Sequence, residues 1–66
     1  MIKNRVKELR AEYHYSQQQL AQLVHVSRQT IVSIENSRSQ PTLELSFKLA
    51  KVFHRTIEEV FLYEEN

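Results

Sequence analysis

Ser16 and Ser27 each stand immediately before a short run with helical apolar spacing, and only a tight turn separates the two runs. Gln19 follows Ser16 by three residues. In that arrangement the serine hydroxyl accepts from the Gln19 amide while the Gln19 side chain reaches back, a capping box. Leu20, Ala21 and Val24 then supply one buried face, which predicts a helix over 17–24. Ser27 repeats the cap. Ile31 and Ile34 turn inward and Arg28, Gln29, Thr30 and Ser33 are left outward, so a further helix runs to about Asn36. Two capped helices joined by a tight turn constitute a helix-turn-helix, which holds one short helix proud of a compact body.

The remaining sequence supplies the body. Val6, Leu9, Arg10 and Tyr13 share a stripe and predict a first helix over 4–13. Residues 37–41 are polar and end in the single proline, hence a surface loop, and Thr42 caps a fourth helix to about Phe53 with Leu45, Leu49 and Val52 or Phe53 inward. Thr56 and Glu59 form a second capping box, opening a short fifth helix over 57–61. The termini, 1–3 and 61–63, carry strand-compatible residues that either pair as a two-stranded ladder or fray. The expected fold is all-α, a five-helix bundle. At 66 residues it is a single domain, 1–66, near the lower limit for one self-sufficient core. Tyr13, Tyr15, Phe47, Phe53, Phe61 and Tyr63 are needed for core or interface area.

The chain has no glycine, although such helices commonly end on a left-handed residue where glycine costs least. His14, His25 and His54 each fall just past a predicted helix, and histidine is enriched in that backbone region, so all three are expected to terminate helices. They are too scattered, with no i, i+4 pair, to form a metal site. The absence of cysteine removes any disulfide framework and fits a reducing cytoplasm, and the charged N-terminus is neither a signal peptide nor an anchor. No aspartate, cysteine or glycine-rich phosphate loop is present, and adjacent Glu58 and Glu59 cannot face each other, so no enzyme, cofactor or small-molecule ligand is expected.

Net charge is only +1, but residues 1–57 hold all nine Lys and Arg against four Glu, a local +5, and the last nine residues hold the other four Glu. An acidic tail repels phosphate, so a nucleic acid would lie away from the C-terminus.

Ser-Gln-Gln-Gln-Leu-Ala at 16–21, Val-Ser-Arg-Gln-Thr-Ile at 26–31, Ile-Glu-Asn at 34–36 and Pro-Thr-Leu-Glu-Leu at 41–45 resemble the Cro/lambda-repressor-like regulators, the xenobiotic-response-element family. The resemblance covers residue 4 to about residue 61. It implies that the third helix enters the major groove of double-stranded DNA, with Arg28, Gln29 and Ser33 at base edges. The chemistry of these side chains agrees: arginine forks onto guanine O6 and N7, glutamine pairs with adenine N6 and N7, and serine is permissive. It further implies phosphate contacts from Gln17, Ser27, Thr30, Asn36, Arg38 and Ser39, and an ion pair between Arg10 and Glu35 that orients the third helix. Two departures stand out. Ser37 and His25 occupy positions where the family usually has glycine, and Ser37 leaves the path of the following loop open.

One helix reads too few bases for useful specificity, so a homodimer on an inverted-repeat operator is expected, with half-sites about one helical turn apart. Phe47, Ile57, Val60, Leu62 and Tyr63 are the candidate dimer contacts, the last four making the C-terminal end a dimerisation tail. The resulting expectation is a cytoplasmic, prokaryotic or phage-type transcriptional repressor, nucleoid-associated when bound, controlled by its abundance or by a second protein. A protein-interaction module, such as an antitoxin-like partner-binding domain, is the alternative, and a sequence-indifferent architectural DNA binder fits the modest charge poorly. Steep weakening with salt separates DNA binding from a protein interface.

Overall fold

Hydroxyls open four of the five helices. In the computed structural model, which describes residues 1–65, Ser16, Ser27, Thr42 and Thr56 accept from the amides of Gln19, Thr30, Leu45 and Glu59. The resulting order is β1 (Ile2–Asn4), α1 (Val6–Glu12), α2 (Gln17–Leu23), α3 (Arg28–Glu35), α4 (Leu43–Val52), α5 (Ile57–Val60) and β2 (Phe61–Tyr63). The boxes at Ser16 and Thr56 are both complete, since Gln19 and Glu59 accept in return from the capping residues' amides. Only α1 opens differently. Its N-cap is Arg5, with no side-chain bond, and the Asn4 carboxamide oxygen accepts from the Val6 amide instead.

The helix ends solve the absence of glycine by one device used four times. His14, His25, Ser37 and His54 have φ between 53° and 61°, the left-handed region. After each, the chain turns back by paired amide bonds: at α1, His14 donates to the Ala11 carbonyl and Tyr15 to the Arg10 carbonyl. The same pair recurs at α2, α3 and α4, a Schellman closure each time. Ser37 therefore takes the left-handed conformation usually left to glycine.

Twelve apolar residues close the core, among them Val6 and Leu9 of α1, Leu20 and Ala21 of α2, Ile31 and Ile34 of α3, and Leu49 of α4. Phe53, at the end of α4, is the largest fully buried side chain; Val52 packs only at the edge. Tyr15 packs against the core, and Tyr13 covers its rim, stacked on Tyr15 and Phe53 with its hydroxyl donating to the Phe53 carbonyl at 2.8 Å.

The termini pair. Ile2, Lys3 and Asn4 lie antiparallel to Tyr63, Leu62 and Phe61. This ladder shortens two helices relative to the sequence expectation. Asn4 belongs to β1, so α1 begins at Val6, and Phe61 has extended dihedrals that end α5 at Val60. Val60 also corrects the dimer expectation: it is fully buried beneath the ladder's junction, where its carbonyl accepts from the Arg5 amide, and a core residue cannot meet a second chain. Among the described residues no helix is long and apolar enough to cross a membrane.

Candidate nucleic-acid interface

Packing against the core fixes which side of α3 faces out. With Ile31 and Ile34 fully buried, Arg28 and Gln29 are exposed and Val32 and Ser33 are half-buried one turn further on. These four stand at i, i+4 spacing and form one continuous strip. Asn36, Arg38 and Ser39, beyond the end of α3, are exposed. Val32 was not singled out in the sequence, although its position one turn after Arg28 was available there. A methyl-bearing side chain is one chemistry that distinguishes thymine, whose C5-methyl is the apolar mark of the major groove.

Behind the strip lies a buried ion pair. Arg10 Nε donates to Glu35 Oε2 at 2.7 Å and Arg10 Nη2 to Glu35 Oε1 at 3.3 Å, a two-pronged contact, while Arg10 Nη1 donates to the Tyr15 carbonyl at 2.9 Å. The Glu35 side chain is 2% exposed and that of Arg10 17%. The pair ties α1 to the C-terminal end of α3, as the family resemblance implied. Asn4 adds a tie that sequence reading missed: its Nδ2 donates to the Ile34 carbonyl at 3.0 Å, fastening the end of α3 to the start of the body. Nothing local in the sequence marks that contact, which spans thirty residues.

Gln17, at the first turn of α2, lies against α3. Its Nε2 donates to Glu35 Oε1 at 3.1 Å, and its Oε1 accepts from Arg28 Nη2 at 3.2 Å. Gln17 and Arg28, expected at phosphate and base respectively, are thus adjacent and joined. Ser27 and Thr30 are engaged in their cap, the Thr30 amide donating to Ser27 Oγ at 3.2 Å and the two hydroxyls lying 3.0 Å apart. Between Glu12 and Glu44 in the sequence the only acid is Glu35, paired with Arg10, while Glu44, paired with Lys48, lines a groove shared with Thr30.

A different surface lies on α4 and α5. Leu43 is 71% and Phe47 53% exposed, one turn apart on the side of α4 opposite Leu45 and Leu49. Ile57 is shared by two adjoining grooves, one lined also by Phe47 and Ala50, the other by Ile2, Leu43 and Phe61. Of the remaining expected dimer contacts Leu62 is half-buried and Tyr63 exposed. Leu43 was missed, yet its i, i+4 relation to Phe47 is a second apolar stripe visible in the sequence.

A short helix presenting a strip headed by Arg28 and Gln29 from a helix-turn-helix body, with Arg38 beyond its end, defines a DNA-binding module. Residues 6–60 match the helix-turn-helix family, and the chain belongs to that family, in its Cro/lambda-repressor-like branch. It is 47% identical to YgzD of Bacillus subtilis, an uncharacterized HTH-type transcriptional regulator, over 97% of each chain. A regulator of the same description from Methanocaldococcus jannaschii is 45% identical over 98% of each. A more distant relative, the competence pilus inhibition repressor of Acinetobacter baylyi, is 34% identical over 92% of this chain and 56% of its own length. The crystal structure of a candidate DNA-binding protein from Bacteroides fragilis superposes with a TM-score of 0.83 at 28% identity, covering 92% of this chain and 98% of that one. The protein is a helix-turn-helix transcriptional regulator that binds DNA, not an enzyme.

Proposed function

We propose that the protein is a sequence-specific repressor that binds an inverted-repeat operator as a homodimer, acting in the cytoplasm. The observation that carries this reading is the α3 strip of Arg28, Gln29, Val32 and Ser33, anchored from behind by the sealed Arg10–Glu35 pair. Arg28 and Gln29 read base edges, Val32 meets a thymine methyl and Ser33 adds a permissive hydroxyl. Gln17, Ser27, Thr30, Asn36, Arg38 and Ser39 flank the strip and hold the phosphates on either side. The exposed apolar side chains of Leu43 and Phe47, with Ile57 in the groove beside each, support dimerisation, because clustered exposed apolar groups on a small domain mark an interaction surface, and Leu62 and Tyr63 are the further dimer contacts on the adjoining strand. The name of the Acinetobacter baylyi relative supports repression as the sign of regulation.

Selection of bound sequences from a random duplex pool, with purified protein at near-physiological salt, tests the reading. An enriched inverted repeat is expected, its centre-to-centre spacing giving the dimer geometry. No enrichment from folded protein would overturn sequence-specific binding and shift the weight to a protein partner. Two substitutions divide the roles. Arg28→Ala is expected to cost about 1–3 kcal/mol and relax preference at one position, while Arg38→Ala weakens all sequences alike and lowers the salt slope by about one.

A further inference from the structure

We propose that Asn4 is a positioning residue for the phosphate-contacting loop after α3, tying the paired termini to the backbone that presents Arg38. The inference rests on the proposed placement of Asn36, Arg38 and Ser39 at phosphates and adds what holds that loop in place. Arg38 is exposed and joins no ion pair among the described residues, so its position follows the backbone. That backbone leaves α3 through two bonds. The Ser37 amide donates to the Ile34 carbonyl at 3.0 Å, and the Arg38 amide donates to the Ser33 carbonyl at 2.9 Å. Ser37 keeps this closure at φ 57° without the freedom of glycine, so the closure gains from a further hold.

Asn4 supplies that hold. A carbonyl oxygen has two lone pairs, and the second donor to Ile34 is the Asn4 carboxamide, at 3.0 Å. Its orientation is dictated at both ends: the Val6 amide needs an acceptor and takes Oδ1 at 3.1 Å, which leaves Nδ2 for the Ile34 carbonyl. The Asn4 backbone is itself fixed by the ladder, opposite Phe61, and the next amide, of Arg5, donates to the Val60 carbonyl at 2.8 Å. The far end of the loop meets the same strands, since Gln40 and Pro41 share a groove with Ile2 and Phe61. The loop is thus bounded at its entry by a bond from β1 and at its exit by side chains of both strands. A residue needed only to start α1 would require the acceptor and not the donor.

The test measures binding of the full chain to a duplex selected from a randomised pool, and to duplexes changed at single positions, across a range of salt. Wild-type, N4S, R38A and N4S/R38A chains are compared, each verified to unfold cooperatively and measured where it is folded. Serine still accepts from the Val6 amide, as a hydroxyl does in such turns, but ends one bond too soon to reach the Ile34 carbonyl. N4S is expected to weaken all duplexes alike by roughly 2- to 10-fold and to lower the salt slope in the direction of R38A, which removes about one. The double variant is expected to lose less than the product of the two single losses, because an unpositioned Arg38 has less to give up. Should serine disturb β1, N4T, better suited to a strand, gives the same comparison. Losses that simply multiply, a salt slope untouched by N4S, or a loss confined to one base position would each overturn the positioning role. If R38A leaves affinity and salt slope unchanged, the phosphate assignment falls and the inference with it; if R38A lowers both and N4S neither, the inference alone falls.

Discussion

The outward faces of α3 and of α4 with α5 are both open to solvent, but they are built in opposite ways. On α3 the polar side chains are supported from within: Arg28 by Gln17, Gln17 by Glu35, and Glu35 by Arg10. On α4 and α5 the conspicuous side chains are Leu43, Phe47 and Ile57, apolar groups with no hydrogen-bonding capacity and grooves beside them. A charged, hydrogen-bonding partner rewards preorganised donors, and its binding weakens with salt through counterion release. An apolar partner rewards area, is nearly indifferent to salt and needs no orientation of its contacts beyond shape. One small fold thus separates a hydrogen-bonding face from an apolar one, on helices that share one core.

The largest contrast is between Val60, at the end of α5 and in the core, and Phe47, exposed on α4. Val60→Glu places an unpaired carboxylate in the core and is expected to abolish folding, read as loss of the helical circular dichroism transition. Phe47→Glu leaves unfolding within about 0.5 kcal/mol of wild type yet weakens operator binding; unchanged affinity would remove this face from the dimer. On the first face, Glu35→Ala strands the Arg10 guanidinium, and chemical denaturation is expected to show a loss of roughly 3–5 kcal/mol.

Smaller effects sharpen the account of how each face is held. Ser37→Gly relieves a left-handed residue at the end of α3, and a gain of about 0.5–1 kcal/mol in stability is expected, since the strain of about 1–2 kcal/mol is partly offset by glycine's freedom when unfolded. The smallest effect concerns pH. The Thr56 backbone amide donates to Glu59 at 2.8 Å, and this bond above all, with smaller help from the Thr56 hydroxyl, Arg55 and Arg5, holds the Glu59 carboxyl below its ordinary value. A carboxyl lowered by folding contributes stability that is present above its unfolded pKa and lost as pH falls through its folded one. Glu59→Gln keeps the cap, as Gln19 does at α2, and acid titration of its melting temperature is expected to be flatter than that of wild type.

Local chemistry made the caps and ends legible. A hydroxyl accepting from an amide three residues on is decided within one turn, so Ser16, Ser27, Thr42 and Thr56 announced their helices, and glycine's absence announced the histidine terminators. The burial of Ile31 and Ile34 followed from period alone, and with it the outward strip of α3. The burial of Val60 was not legible, because the contact that decides it is distant in the chain. Val60 reads as one more apolar residue near an exposed tail until the terminal ladder folds over it, whereas the Leu43 and Phe47 stripe, at i, i+4, is local and legible.

The amino-acid sequence determined the helices, their boundaries to within a turn, and the outward face of α3, because capping, periodicity and backbone preference act over a few residues. Tertiary structure decided what those residues are attached to. The bond from Gln17 to Glu35 spans eighteen residues and that from Asn4 to the Ile34 carbonyl thirty, and such contacts exist only after α1, α2 and α3 have packed. Hydrogen bonds between distant side chains depend on angstrom-scale placement, which no local propensity carries and the closed core alone supplies.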